Sequence, residues 1–599
     1  MRERSRRLTT IRPRESLRTW NQSVENNDDS VDFLVAFHTL GYARVRVRPS
    51  LAGIHTQAYT DILRHTHESA TMSIQTDASR VSESSLPQTD GYWEDPAIER
   101  NRLASPADLD RNPIDAANDE LSVAPQGLLP RQSAVEIDGS QSNASGRTTE
   151  KTPDGKDIQV DPLHTDTNVS IGRERTLAEA GFGQTYVSSD QLVLTTGGAN
   201  DRVGVSQRDD GTLDVTVNGE SYEVRLAQDQ ELTIRTGAGD DVIEVASNVT
   251  VNIVADTGDG DDKIDIAGSG DNRIDAGAGD DSVNLSGSGR NDVFGGAGND
   301  TIRGGSGVDV IYGGDGDDDI DGGAGRNYLE GGAGNDTLRS RGTGDMVSGG
   351  LGDDTIHAAP GASSLYAGAG NDTIEGAGNQ TTVYAEATDL VNAATGARPT
   401  VINVEIDPEV GSTVKVEGSE AFVQRVQADI EFLRSSPNGQ QMLAEFDNTA
   451  ATKGNTVTIK ELSNEQNGYA MPAEDGATWP DVQITNGRAG PGVVTDIRYN
   501  PSFHMDAFPA PVVVLYHEMS HAYNFTNGTL QPGNYAGPDS ADRGISNSER
   551  QAVGLETTAA PFDFDGDPST PPTTANPDHL TENGIREELG LPDRPSYRL

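Results

Sequence analysis

The chain has 599 residues, with 45 Lys and Arg against 95 Asp and Glu, a formal charge of −50, 68 Gly and only 33% hydrophobic residues. That charge disfavours nucleic acid and anionic lipid and makes cations the natural partners, while the apolar fraction is too low for one continuous core. The absence of cysteine excludes disulfides, thiolate zinc sites and iron–sulfur clusters, so a transition metal would have to rest on His, Asp or Glu.

The Arg-rich start, MRERSRRLTTIRPRESLRTW, lacks the apolar h-region of a secretory signal, and no run reaches transmembrane length. A soluble chain without a transmembrane segment is expected, leaving the cell, if it does, by a route independent of a signal peptide. Residues 1–160 are polar and of low complexity and are expected to be disordered, with one helix near Asp32 to Tyr42. Residues 161–235 turn to period-two patterning in QLVLTT, TLDVTVNGESYEVRL and ELTIR, a β-rich segment suited to capping a stack of strands.

From Thr236 a repeat begins, and between Gly295 and Glu375 it runs as nine nonapeptides in phase, among them GGAGNDTIR, GGSGVDVIY, GGDGDDDID and GGLGDDTIH. Glycines at positions 1, 2 and 4 permit a tight turn, a carboxylate mostly falls at position 6, and a large apolar residue at position 8 marks a short strand. The pattern resembles the RTX, or hemolysin-type calcium-binding, repeat. The resemblance implies a parallel β-roll over 236–380, two nonapeptides per coil, with several calcium ions held between turns by the position-6 aspartates. If consecutive turns lie on opposite edges, Asp241, Asp262, Asp281, Asp300, Asp318, Asp336, Asp354 and Asp372 stack on one edge, and Asp309, Asn327, Asp345 and Ser363 on the other. Calcium is expected mostly on the first edge, where the carboxylates would otherwise repel, with Asp309 as a further ligand.

Residues 381–415 look like a β-rich linker, and 416–599 have the composition of a mixed α/β domain. Ser419 caps a helix with Phe422, Val426, Ile430 and Leu433 at helical spacing, and TVTIKEL and VVTDIRYN are strand candidates. The segment VVVLYHEMSHAYNF follows Pro509 and Pro511, residues suited to a helix start. In HEMSH, His517 and His521 stand at i and i+4 and share one helix side, with Glu518 beside them as a base for an activated water. Candidates for a third ligand are His504, Asp539, Asp542, Glu549 and Glu556. DFDGDP (563–568) lacks the EF-hand glycine spacing and reads as a polar loop.

The arrangement resembles the gluzincin zinc peptidases, in which a second helix supplies a Glu after HExxH. Together with AFVQRVQADIEFLRSSPNGQQML, NSERQAVGLE and TENGIREELGLPDRPSYRL, it resembles the bacterial effector metallopeptidase family that includes the enteropathogen effector cleaving host mitogen-activated protein kinases. The resemblance implies one catalytic zinc on His517, His521 and Glu549, with Glu518 as general base. Arg594 and Tyr597 are candidates for stabilising the oxyanion, and the strand Val493–Tyr499 for pairing with extended substrate.

The expected protein is multidomain: a disordered N-terminal region, a parallel β-roll and a C-terminal α+β zincin-like domain. It is expected to be a secreted zinc endopeptidase acting on a protein substrate, a host protein included, with calcium as structural cofactor and no nucleic-acid partner. Delivery into a host cell is the alternative route of export, and a calcium-dependent adhesin with an inactive peptidase-like domain is the alternative function.

Overall fold

A nonapeptide whose only inward residue is the one at position 8 has no core of its own, so the repeats must stack to bury it. The computed structural model of the chain, which describes residues 31–37, 41–47, 134–181, 184–463, 468–473, 476–502, 510–566 and 568–598, shows that stack. Alternate nonapeptides feed two parallel sheets. One carries Ile243, Ile264, Val283, Ile302, Ile320, Leu338, Ile356 and Ile374 inward, and the other Ile274, Val293, Ile311, Leu329, Val347, Leu365 and Val383, in one buried core. Successive coils are offset by 18 residues where the repeat is regular, and by 19 or 21 near its start.

The same stacking lines up the position-6 aspartates. The backbone N–H of each donates to Oδ1 of the next: Asp241 to Asp262 at 2.7 Å, Asp262 to Asp281 at 2.7 Å, Asp281 to Asp300 at 2.8 Å, Asp300 to Asp318 at 2.7 Å. The series continues through Asp336, Asp354 and Asp372 to Asp389. All eight aspartates from Asp241 to Asp372 are buried, and the Oδ2 of each has no hydrogen-bond partner. A file of partnerless buried carboxylate oxygens fits a hard, oxygen-preferring cation.

The opposite edge is chemically different. Asn272 donates to Asn291 and Asn291 to Asp309, each through its side-chain amide, while Oδ2 of Asp309 accepts from Gly305 N–H at 3.0 Å. Asp345 Oδ2 accepts from Ser340 and Gly342. Asp309, expected among the calcium ligands, therefore has protein donors on both oxygens and lacks the free oxygen that marks the first edge.

Three expected boundaries shift. Strands Val135–Asp138 and Thr148–Lys151, and the start of Asp157–Thr165, fall inside the region expected to be disordered. They are held at the sheet ends, where Asp157–Thr165 pairs with the long strand Ser170–Gly181 and Val135–Asp138 pairs with Glu220–Arg225. Strands Thr381–Ala385, Leu390–Ala393 and Thr400–Asn403 extend both sheets, so much of the expected linker is roll. Where a helix was expected near Asp32–Tyr42, Val31–Phe37 and Gly41–Val47 form an antiparallel pair, in keeping with the β-branched and aromatic content of VDFLVAF and GYARVRV.

The C-terminal domain has helices α1 (Glu420–Ser435), α2 (Pro437–Lys453), α3 (Trp479–Val482), α4 (Pro511–Asn527), α5 (Asn547–Val553) and α6 (Glu582–Glu588). They pack around a four-stranded sheet ordered Lys415–Glu417, Val457–Glu461, Thr495–Tyr499, Gly468–Pro472. Thr495–Tyr499 is paired on both sides, so the expected edge strand is interior. The edge is Gly468–Pro472, whose short sequence YAMP gives little period-two signal.

Burial is the largest influence on the ladder carboxyls and pushes them upward, with neighbouring aspartates adding to it: Asp262 to about 6, Asp281 and Asp300 to about 7, Asp318 to about 8. Because these folded-state values lie above the ordinary carboxyl range, the folded roll binds more protons than the unfolded chain, and its stability falls as pH rises through that interval. In calcium-free buffer the melting temperature followed by circular dichroism should drop from about pH 4 to about pH 8, and calcium should restore it at the higher pH. A flat calcium-free profile would contradict a buried carboxylate stack.

Candidate metal centre and peptide cleft

Pro511 opens α4 at its first turn, where no backbone donor is lost, and Gly528 closes it in the left-handed region at φ 71°. Nearly the whole helix is buried, because its apolar run Val512–Tyr516 enters the core between sheet and helices. One side carries His517 and His521, with rings 4.9 Å apart.

Helix α5 faces that side. Its Glu549 Oε2 lies 3.1 Å from His521 Nε2 and 3.7 Å from His517 Nε2. One ligand atom from each of the three lies within 4.8 Å of the others, the only such His/Asp/Glu group among the described residues. Two imidazole nitrogens and one carboxylate oxygen converging from two helices form a donor set suited to zinc. Burial works to raise the Glu549 carboxyl, but the two histidines outweigh it and hold the group well below the usual glutamate range.

The other third-ligand candidates separate clearly. Helix α5 ends at Val553 with Gly554 as its left-handed cap, so Glu556, expected two turns further along the same helix, is exposed beyond its end. Asp542 is buried and accepts from the N–H groups of Tyr597 and Arg598 at 2.8 and 3.0 Å while pairing with Arg550. Asp539 also pairs with Arg550, at 3.1 Å. His504 lies outside the described residues.

A second carboxylate, from α6, stands behind the histidines. Glu582 is fully buried, and its Oε2 lies 2.9 Å from His517 Nδ1, which leaves Nε2 for the ligand position. Arg594 donates to the same oxygen at 2.6 Å, and Arg586 lies 3.4 Å from Oε1. Arg594 also donates to the Tyr597 carbonyl. Its guanidinium therefore anchors Glu582 and the tail. Sequence reasoning missed Glu582 because TENGIREELG presents several acidic residues of equal standing.

Glu518 points toward the edge strand. A Cβ on Gly468 would stand 3.2 Å from Glu518 Cγ and 2.8 Å from the Arg498 carbonyl, so only glycine fits where the strand passes the carboxylate. Burial pushes the Glu518 carboxyl above the ordinary range, against the pull of the two histidines. Tyr597 lies across from it, its ring centroid 6.3 Å from that of His517. Burial first, then the charges of Glu549 and Glu518, raise its phenol and keep it a proton donor. Between them opens a cleft of about 530 Å³ lined by His517, Glu518, His521, Glu549, Tyr597 and Tyr469, with Trp479 also in its lining. Tyr469, Met471 and Trp479 are 42%, 41% and 71% exposed, large apolar groups offered to solvent beside the donor set.

Residues 410–597 match the Peptidase_M91 family model, described as an effector protein. The segments 285–320, 312–347 and 348–383 match the RTX calcium-binding nonapeptide repeat (4 copies). No curated protein matches the chain. Residues 410–597 are thus similar to the Peptidase_M91 effector family, and they share one chain with repeats similar to the RTX calcium-binding type.

Proposed function

We propose that the C-terminal domain is a zinc endopeptidase cutting an extended segment of a protein substrate. The observation that carries this reading is the convergence of His517, His521 and Glu549 beside the buried Glu518 at the foot of an open cleft. Zinc bound there would polarise the scissile carbonyl and make a water nucleophilic near neutral pH.

The chain's own residues supply the rest. The edge strand Gly468–Pro472 offers backbone groups to which a substrate segment adds as a further strand, passing Glu518 where Gly468 makes room. Glu518 takes the proton of the attacking water as its oxygen bonds to the carbonyl carbon, then delivers it to the amide nitrogen as the C–N bond breaks. The Tyr597 hydroxyl is the donor available to the developing oxyanion, and Arg594 holds the tail that presents it. Glu582 fixes the tautomer and orientation of His517. Both matched families are typical of secreted proteins, which favours a substrate outside the producing cell, a host protein among the candidates.

Glu518→Gln is expected to lower casein cleavage by about 10²–10⁴-fold while zinc, counted by elemental analysis, stays near one per chain. Full activity of that variant would end the peptidase reading. For Glu582→Gln the expected change is a loss of zinc affinity of about 10–100-fold, measured by competition with a chromophoric chelator. Tyr597→Phe should lower kcat by roughly tenfold or more with KM little changed, since a hydrogen bond made only in the transition state is removed.

A further inference from the structure

We infer that the roll is a structural part of the peptidase, and that calcium on the roll therefore controls assembly of the metal site. This rests on the zinc-peptidase reading above. Position 9 of the nonapeptides is the starting point. On one sheet it holds Arg303, Asp321, Arg339, His357 and Glu375, the polar outer face of an ordinary solvated roll. On the other it holds Tyr312, Glu330, Ser348 and Tyr366, continued by Phe294 before and Tyr384 after. Position 7 adds Val310, Tyr328 and Met346 to that second face.

That face is not solvated. Phe294, Val310, Tyr312, Tyr328, Met346, Tyr366 and Tyr384 form one buried cluster with Phe422, Val426 and Phe432 of α1 and with the core residues that surround α4. The Tyr366 ring packs 4.4 Å from those of both Phe432 and Tyr384.

Polar links cross the same seam. Asp429 of α1, fully buried, accepts from Tyr312 at 2.8 Å and Tyr328 at 3.2 Å on the roll, and from Tyr499 of the peptidase sheet at 3.1 Å. Arg425 pairs with Asp292 of the roll at 2.6 Å, both buried.

A third link leads to the metal site. Tyr366 donates to Glu588 Oε1 at 3.1 Å and Tyr384 to the Glu588 carbonyl at 3.0 Å. Glu588 ends α6, and Glu582, at the start of the same two-turn helix, holds His517. The roll coils that carry Tyr366 and Tyr384 are flanked by Asp354 and Asp372, whose Oδ2 atoms lack protein partners. Without a cation these coils lose their fold, the seam is exposed to water, and α6 loses the contacts that set its position.

The test uses the full-length chain, stripped of calcium on a chelating resin and supplied with zinc, with calcium then added back. Circular dichroism reports the roll, elemental analysis the bound zinc, hydrogen exchange of residues 582–588 the helix, and casein cleavage the activity. Zinc binding, protection of 582–588 and cleavage should all rise over the calcium range in which the roll folds, with at least tenfold less cleavage in its absence. Zinc binding and protection that persist while the roll is unfolded would overturn the inference. A chain that binds no zinc at saturating calcium would fault the zinc reading instead, and the exchange of 582–588 would still decide the coupling. The double variant Tyr366→Phe/Tyr384→Phe removes only the hydroxyls. It should weaken zinc binding severalfold and leave the calcium midpoint of the roll unchanged; unaltered zinc affinity would overturn the route through α6.

Discussion

The architecture depends on one repeated constraint: the position-6 carboxylate, buried at every second turn with one oxygen accepting from the preceding coil's backbone N–H and the other left over. The Asp N–H to Asp Oδ1 bonds from Asp241 to Asp389 fix the register of successive coils. Register in turn decides which side of each strand faces inward, since a one-residue slip would exchange the faces. The leftover Oδ2 atoms make this register conditional. A file of like charges close together in a medium poorer than water cannot stay ionised without a counter-ion.

Once the register is set, the two sheets have different fates. The sheet ending in Leu390–Ala393 alternates buried positions with partly or fully exposed ones, as in Thr301–Arg303 and Thr337–Arg339. Its partner is buried along both faces over Asn291–Gly296 and Asp309–Gly313, because α1 lies on it. A parallel sheet covered on both sides needs apolar residues on both, and the tyrosines meet that need with a polar tip. Each ring fills the seam while its hydroxyl finds Asp429 or Glu588. Breaking one partner of a buried pair such as Arg425–Asp292 costs about 3–5 kcal/mol, more than an apolar replacement of both would. The seam is thus specific as well as large.

Much of this was legible in the sequence. The nonapeptide phase gave the coil, the alternation of good and degraded units gave the two edges, and HEMSH with a later Glu gave three side chains that the fold brings together. The sequence was less informative where a residue's role depends on what another part of the chain presents to it. Tyr312 and Tyr366 stand where the repeat tolerates nearly anything, and only the docked α1 gives them meaning. Glu582 is one acidic residue among several in its helix and is singled out by its distance to His517 Nδ1. Gly468–Pro472 has too few residues for a period to show, whereas Thr495–Tyr499 reads well as a strand because it is interior. Glu556 was misplaced for a local reason: Gly554 stops the helix before it.

The strong negative charge of the chain conceals three ways of burying a carboxylate. Glu549 and Glu582 are matched by histidine and arginine, which leaves the imidazoles aimed at a common point. Asp292, Asp429 and Glu588 are matched by arginine, tyrosine and backbone donors, which tie one half of the molecule to the other. The ladder aspartates are only half matched by protein, each retaining an oxygen with no donor. The first two groups find their partners within the protein, while the third is stable only in a medium that provides a cation or a proton. Since the second group is built on strands that the third holds in register, the medium's cation content reaches the seam, and through Glu588 the helix that holds His517.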